Sequence, residues 1–436
     1  MKTNILLISF IFIFINQFSY SQDYNAEQIY DNFKESVFVV EAYDKSNNLI
    51  GTGSCVLLSE KGIIVTNYHN FEEADELKIR HGDKYVDYQQ ILGVDFDKDI
   101  LLLSTNYKAS INLAVVNFSS LKVGQNIYAL GSPYGYENSL SSGIIAGLGR
   151  TLKEISKYNL IQITSIINHG SSGGAILNSK GELIGISSFG KENIFFAIPI
   201  EEALAVKMVS EGDKSVEQNI YLYKAIKYSN DNDYASAIYF YNKYINENKT
   251  NIQSFISRGY CYLKLEKYNE CKKDFEAANS LNGNLPEVYN AWGDYYFSQN
   301  MLEKSELEFR KAIKLDPNNS YAIYRRGDLY FKLNNYQIAI TEYNKALEIS
   351  PKNTTIILQR GIANFFNEDN ISAFNDINYV LEIDPQNQYA QLLQKQFIYL
   401  IKTEVKADLQ FKTAIYNAII DLGKTFAEAF GKKKIK

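Results

Sequence analysis

Apolar residues follow two different rhythms along this chain, and the change falls near residue 205. Between residues 36 and 200 they form short continuous or alternating runs separated by glycine, at 36–43, 52–58, 63–66, 100–104, 127–130, 140–148, 182–188 and 194–198. Runs this short, bounded by turn residues and with no long helical period among them, predict antiparallel sheet closed into a sandwich or barrel. A short helix is expected over 200–209. The polar stretch Glu211-Gly212-Asp213-Lys214-Ser215 then reads as a linker, so the β domain is placed at 36–205, after a segment at 22–35, and the linker at 206–217.

The second rhythm is a fixed repeat. Gly259, Gly293, Gly327 and Gly361 stand 34 residues apart, with Ala225 one period earlier. Pro317, Pro351 and Pro385 share the period, as do the small residues Ala237, Cys271, Ser305, Ala339 and Ala373 and the bulky Phe275, Phe309 and Tyr343. Small residues let paired helices approach, and proline ends the second helix of each pair, so this self-similarity resembles tetratricopeptide repeats. Five repeats are expected over 218–387, starting near 218, 252, 286, 320 and 354. Capping helices are expected over 388–430, from apolar spacing at Ile401, Val405, Leu409, Ile419, Leu422, Phe426 and Phe430, and a basic tail over 431–436. The resemblance implies a superhelix with an extended concave surface for a protein partner. Its inward positions would include Tyr260, Asn290, Asp294, Tyr321, Tyr324, Asp328 and Phe331.

With 436 residues the chain exceeds one ordinary core, which agrees with two contrasting halves. Tyr and Phe are abundant (34 and 25), Pro is scarce (6) and the formal charge is only -5, a balance that excludes disorder and gives no nucleic acid a basic surface. Lys2, an apolar run over 5–15 and small residues at Ser19 and Ser21 read as a signal peptide over 1–21, cleaved near Ser21. The mature protein is then expected outside the cytoplasm, in a periplasmic or extracellular space. Cys55, Cys261 and Cys271 make no disulfide framework and read as small buried residues, with a Cys261–Cys271 bridge between neighbouring helices as the alternative. Neither a Cys/His cluster nor an acidic calcium loop is present, so no metal and no cofactor is expected.

Chemistry concentrates in Asn168-His169-Gly170-Ser171-Ser172-Gly173-Gly174. A glycine-flanked serine is a weak signal unless a base and an acid accompany it. Of three histidines, His69 follows the buried-looking run 63–67, His81 lies in a polar turn, and His169 adjoins the serine in the loop itself. His69 is the best base. Asp99 runs straight into the apolar Ile100-Leu101-Leu102-Leu103 and is ranked as the acid above Asp95 and Asp97, which lie in a polar turn.

The order His69, Asp99, Ser172 is the chymotrypsin order. Gly53, Gly62-Ile63-Ile64-Val65-Thr66-Asn67-Tyr68-His69, Asp99-Ile100-Leu101-Leu102, Gly131-Ser132-Pro133-Tyr134-Gly135, Ser142-Gly143-Ile144-Ile145, residues 161–174 and Phe196-Ala197-Ile198-Pro199-Ile200 together resemble consecutive blocks of the HtrA/Deg family of trypsin-like serine proteases. The resemblance covers about residues 36–205. It implies an all-β chymotrypsin-like double barrel with Ser172 as nucleophile, His69 as base then acid and Asp99 as orienter. The Gly170-Ser171-Ser172 segment would form the oxyanion hole, through the N–H groups of Gly170 and Ser172. The specificity pocket would be walled by Ile166, Ile167, Ser187, Ser188 and Phe196, none of them acidic, which implies protein or peptide substrates cleaved after small or medium apolar residues. Three positions depart from the family pattern: His169 replaces Pro, Ser171 replaces Asn and Thr164 replaces Asp. Losing the proline frees φ in the loop that must shape the hole, so gating of that loop is an expectation. No PDZ segment follows the β domain. Relatives often form trimers through N-terminal segments, and Tyr24, Tyr30 and Phe33 would serve a homo-oligomer.

Overall fold

A computed structural model describes residues 23–108, 113–151, 159–191 and 193–403. The expected signal peptide, most of the expected C-terminal capping segment and the basic tail lie outside the described residues. The chain divides into two compact units, 1–217 and 218–436. None of the described helices is long and apolar enough to cross a membrane.

Among its described residues the first unit holds thirteen strands, all in antiparallel ladders. Helix α1 (Ala26–Phe33) leads into β1 (Val37–Tyr43), β2 (Leu49–Leu57), β3 (Ile63–Thr66), β4 (Glu76–His81), β5 (Lys84–Val86), β6 (Tyr88–Asp95) and β7 (Ile100–Thr105), with a one-turn helix α2 (His69–Glu72) between β3 and β4. These seven strands form one sheet in the order β5-β4-β1-β2-β3-β7-β6. Strands β8 (Asn126–Gly131), β9 (Ser139–Arg150), β10 (Leu160–Ile163), β11 (Ala175–Asn178), β12 (Leu183–Lys191) and β13 (Ile194–Pro199) close a barrel in the order β10-β13-β12-β11-β8-β9. The chymotrypsin-like architecture expected from the sequence is therefore present, with the closed ladder confined to the second half. Every predicted run is a strand. The strands not predicted, β4, β5, β6, β10 and β11, are short or carry polar residues on one face: in β4, Leu77 and Ile79 are buried while the charged Glu76, Lys78 and Arg80 alternate with them.

Two apolar clusters of described residues lie in the core of this unit. Ile127, Ile145, Ile161, Ile163, Ile176 and Ile184 fill the second barrel, and Val37, Val56, Val65, Ile100, Leu102, Leu130, Ala175 and Ile198 join strands of both sheets. Tyr24, Tyr30 and Phe33, the residues offered above to a second copy, pack against this shared cluster of their own chain. The expected helix over 200–209 is shorter, α3 (Ile200–Leu204).

Among its described residues the second unit is helical. Helices α4 (Ser215–Asn230) and α5 (Tyr234–Glu247), α6 (Ile252–Lys264) and α7 (Tyr268–Asn282), α8 (Pro286–Ser298) and α9 (Leu302–Leu315), α10 (Ser320–Lys332) and α11 (Tyr336–Ile349), and α12 (Thr354–Phe366) and α13 (Asn370–Ile383) form five hairpins, followed by α14 (Gln388–Thr403). The linker stretch ends sooner than expected, because Asp213 accepts from the N–H of Ser215, where α4 begins. Each hairpin turns on a residue with positive φ at the same phase of the repeat: Asn232, Glu266, Asn300, Asn334 and Glu368.

The 34-residue glycines earn their place by packing. A Cβ on Gly293 would lie 2.5 Å from Phe309, and one on Gly327 would lie 2.6 Å from Tyr343. Gly293→Ala should therefore destabilise this unit by about 1–3 kcal/mol through overpacking. Trp292 is the chain's only tryptophan, and its ring centroid lies 6.0 Å from that of Phe275. Urea unfolding followed by its fluorescence isolates the repeats, and an unshifted midpoint would contradict the packing account. Cys261 and Cys271 are buried and free, in different apolar clusters. Burial pushes the Cys271 thiol up to about 12.

Candidate active site

The ladder between β3 and β7 brings the first two candidates together. Thr66 pairs with Leu101, so the chain leaving β3 and the chain entering β7 emerge side by side. His69 Nδ1 lies 2.7 Å from Asp99 Oδ2, and Asp99 Oδ1 accepts from the His69 backbone N–H at 2.8 Å. Asp99 sits at φ 57, in the left-handed region, held there by its own carbonyl, which accepts from Tyr68 N–H at 3.1 Å and Asn67 Nδ2 at 3.0 Å. The rival Asp95 instead binds the Lys98 N–H and ammonium, and Asp97 is exposed. Partial burial disfavours a charged His69, but the hydrogen bond and charge of Asp99, with a further pull from Glu72, hold its pKa above the ordinary 6.5.

Ser172 lies on the loop between β10 and β11. It lines a cleft of about 260 Å³ with His69, Asn70, His169 and Gly170. Its hydroxyl donates to the Ser188 carbonyl at 2.7 Å. Among the described residues no hydrogen bond joins it to His69.

The loop backbone is fixed carbonyl by carbonyl. Asn168 C=O accepts from Ser171 N–H at 2.9 Å, and His169 C=O from Tyr134 N–H at 2.7 Å. Gly170 C=O accepts from the Ser54 hydroxyl at 2.7 Å. Ser171 C=O accepts from Gly174 N–H at 2.9 Å and from the Ser187 hydroxyl. Ser172 C=O accepts from Ser54 N–H at 2.8 Å and Asn70 Nδ2 at 3.2 Å. In a trans peptide the N–H points opposite to the C=O. The N–H groups of Gly170 and Ser172 are thereby turned away from the partners of the His169 and Ser171 carbonyls, and among the described residues neither donates a hydrogen bond. Ser171 differs from the expectation for its segment, because its own N–H is taken by Asn168. Gly170 sits at φ 92, and a Cβ there would lie 2.6 Å from Tyr134 N and 2.7 Å from Ser132 O, so the loop requires glycine at that position.

A second pocket of about 180 Å³ lies beside the loop, lined by Ile166, Ile167 and Ser187 as expected, and also by Ala129, Pro133, Leu140, Ser141 and Asn168. Two expected wall residues are elsewhere. Phe196 is buried in the shared core, its ring 5.3 Å from that of Phe189, and Ser188 contributes its carbonyl to Ser172. No side chain lining the pocket is ionisable. His81, read from the sequence as a solvated turn residue, is packed between Phe38 and Tyr107 at 4.7 and 5.4 Å, with Nε2 3.1 Å from Glu35.

In the second unit Tyr260, Asp294, Tyr321 and Asp328 are brought together and occupied in one network, whereas Phe331, expected on the same surface, is buried in the apolar core. Asp294 accepts from Tyr260 and Tyr321 hydroxyls at 2.7 and 2.6 Å and from Arg325 Nε at 2.7 Å. Arg325 also pairs with Asp328, which accepts from the Tyr343 hydroxyl at 2.8 Å. Tyr324 lies with its ring 6.2 Å from that of Tyr321, and Asn290 is buried one turn before Asp294. Arg325 was not anticipated from the sequence. No group of three or more metal-binding side chains occurs among the described residues.

A protein-family profile described as a trypsin-like peptidase domain matches residues 53–186, and tetratricopeptide-repeat profiles match 252–285, 293–334 and 327–367. A probable periplasmic serine endoprotease DegP-like of Pseudomonas putida is 33% identical over 181 residues, covering 40% of this chain and 38% of that protein. A protein of the same description from Halomonas elongata is 37% identical over 172 residues, covering 38% of this chain and 36% of its own length. A solved structure, an HtrA-type protease AlgW with tripeptide, aligns at 27% identity and a TM-score of 0.37, over 41% of this chain and 61% of that one. The matched region thus spans well under half the length of these curated relatives. What this chain contains, in order, is a trypsin-like peptidase domain with HtrA/DegP homologues and a run of tetratricopeptide repeats.

Proposed function

We propose that the chain is an exported serine endopeptidase in which Ser172 attacks the peptide carbonyl, His69 takes its proton and returns it to the leaving amine, and Asp99 holds His69 in the productive tautomer. The observation that carries this reading is the pair of undonated N–H groups at Gly170 and Ser172, beside a cleft that also holds His69. Two donors oriented before substrate arrives stabilise the tetrahedral oxyanion without reorganisation during the reaction. The His69–Asp99 contact fixes the proton on Nδ1 and leaves Nε2 as the acceptor. Substrate entry must first draw the Ser172 hydroxyl from the Ser188 carbonyl toward His69, in keeping with catalytic hydrogen bonds that tighten only in the substrate complex. Export follows from the signal-peptide reading of residues 1–21 and from relatives named as periplasmic. The repeats would recruit the substrate or a protein partner.

The apolar, uncharged pocket gives the reading its specificity. Digestion of unfolded casein by the full chain, with cut sites mapped by mass spectrometry, should show cleavage after Val, Ala and Ile. Cuts dominated by Arg or Lys would overturn the pocket assignment, and intact casein would overturn the protease reading. The parked Ser172 hydroxyl favours one alternative, a non-catalytic adaptor working through its repeats, and intact casein is the outcome that reading requires.

A further inference from the structure

The nucleophile loop is gripped from the other half of its domain by a hydroxyl that the triad does not use. Ser54, on β2, is fully buried. Its Oγ donates to Gly170 C=O at 2.7 Å and accepts from Ser132 N–H at 2.8 Å. The directions are unambiguous, since a carbonyl can only accept and a backbone N–H can only donate. Its backbone takes part as well: Ser54 N–H donates to Ser172 C=O, and Ser54 C=O accepts from Thr66 Oγ1 at 2.7 Å. Thr66 Oγ1 in turn accepts from Asn70 Nδ2, which also reaches Ser172 C=O. One residue of the first sheet therefore joins three parts of the second barrel's active face: the turn at Ser132, the Gly170 peptide and the Ser172 peptide.

We propose that Ser54 is a positioning residue for the oxyanion hole, acting through Gly170. This rests on the serine-protease reading of the site. Gly170 has glycine's wide backbone freedom, and its N–H direction is set by the bonds that hold the peptides on either side of it, the following one at the Ser171 N–H by Asn168 and at the Gly170 carbonyl from the other sheet. Tyr134 N–H holds the preceding peptide, and the Ser54 hydroxyl holds the following one at its carbonyl. Ser54→Ala removes the second anchor and leaves a buried carbonyl and a buried N–H without partners, so the Gly170 peptide relaxes to satisfy them. The hole binds charge that develops in the transition state, so the loss falls on kcat rather than KM.

The test is carried out on the full chain. Ser54→Ala should lower kcat about 10- to 100-fold with KM unchanged, and amide hydrogen exchange should quicken in peptides covering 168–174 while β13 keeps its protection. Wild-type kcat together with wild-type exchange in the loop would overturn the proposal, as would a loss carried entirely by KM. If the alanine variant loses protection throughout, Ser54→Cys decides: this isostere with a poorer donor should show an intermediate kcat with β13 protected, and wild-type kcat in it overturns the proposal. A wild-type chain that cleaves nothing would sink the protease reading separately, and the exchange of the loop in Ser54→Ala still decides the anchor.

Discussion

Ser172→Ala is expected to lower casein and peptide hydrolysis about a millionfold, leaving only the weak acceleration that a hole and a binding cleft give to attack by water. The argument runs through the division of labour in the cleft. His69 has no group other than the Ser172 hydroxyl from which to take a proton along the proposed path, so removing Oγ removes the nucleophile and idles the base together. For that reason the loss should not deepen in a His69→Ala/Ser172→Ala double variant, because residues acting as a unit are non-additive. The fold should hardly register the change. Ser172 is half-buried, and the hydrogen bond it loses, to the Ser188 carbonyl, contributes about 1 kcal/mol. Peptide affinity should persist, since the pocket walls and the Gly170 and Ser172 N–H groups remain. Steady-state kinetics beside a binding titration check both halves of this expectation. Equal hydrolysis by wild type and Ser172→Ala would assign the activity to something else.

How far the sequence reaches this site depends on the kind of interaction involved. The His69 and Asp99 placement was legible because each sits at the end of an apolar run, and strands that pair bring such ends together: Thr66 against Leu101 follows from two short hydrophobic stretches. The anchors of the loop were not legible. Ser54 lies 116 residues from Gly170 and binds its backbone carbonyl, an acceptor every residue carries, so no side-chain pattern marks the pair. Tyr134 acts through its N–H, which any residue but proline would supply. The His169 carbonyl is held by that N–H, a restraint that only the folded loop reveals.

The repeats divide in the same way. Their period predicted helix pairs, the glycine contacts and the small-residue seams, because these are local features seen several times over. Of the residues expected on one face of the first helices, Tyr260, Asp294 and Tyr321 meet in one network, and Phe331 is buried in the core instead. What the period did not convey is that Arg325, inserted among Tyr260, Asp294, Tyr321 and Asp328, would neutralise that face's carboxylates. A related signal lies in the sequence: Arg258 with Asp274, Arg326 with Glu342, and Arg360 with Asp376 pair at a constant separation of 16 residues within the second, fourth and fifth hairpins. Trp292 interrupts the series in the third repeat, where Glu308 turns to Lys311.

Asp99→Asn should lower kcat about 10,000-fold while leaving the backbone intact, and the reason lies in the two oxygens of Asp99. Asn accepts the left-handed conformation at φ 57 as readily as Asp. Oδ1 faces the His69 backbone N–H, so the carboxamide oxygen of an Asn must take that place, which sets its NH₂ against Nδ1. Nδ1 then has to accept, the ring proton moves to Nε2, and the nitrogen that should receive the Ser172 proton already carries one. KM should change little, because substrate contacts are untouched. The substitution also replaces the hydrogen bond accepted from Nδ1–H, and removes the charge, that together raise the His69 pKa, leaving burial and a donor against Nδ1 to lower it against the smaller pull of Glu72. In the wild type a folded pKa above 6.5 means that the pair adds stability fully present below pH 6.5 and lost as pH rises through the folded value. The stability gap between wild type and Asp99→Asn should accordingly be wide below that pH and close as His69 deprotonates. Thermal midpoints across the pH range measure the gap, and kcat across the same range measures the tautomer. Undiminished kcat with an unmoved pH profile would remove Asp99 from the mechanism, and a midpoint gap that widens with rising pH would reverse the electrostatic assignment.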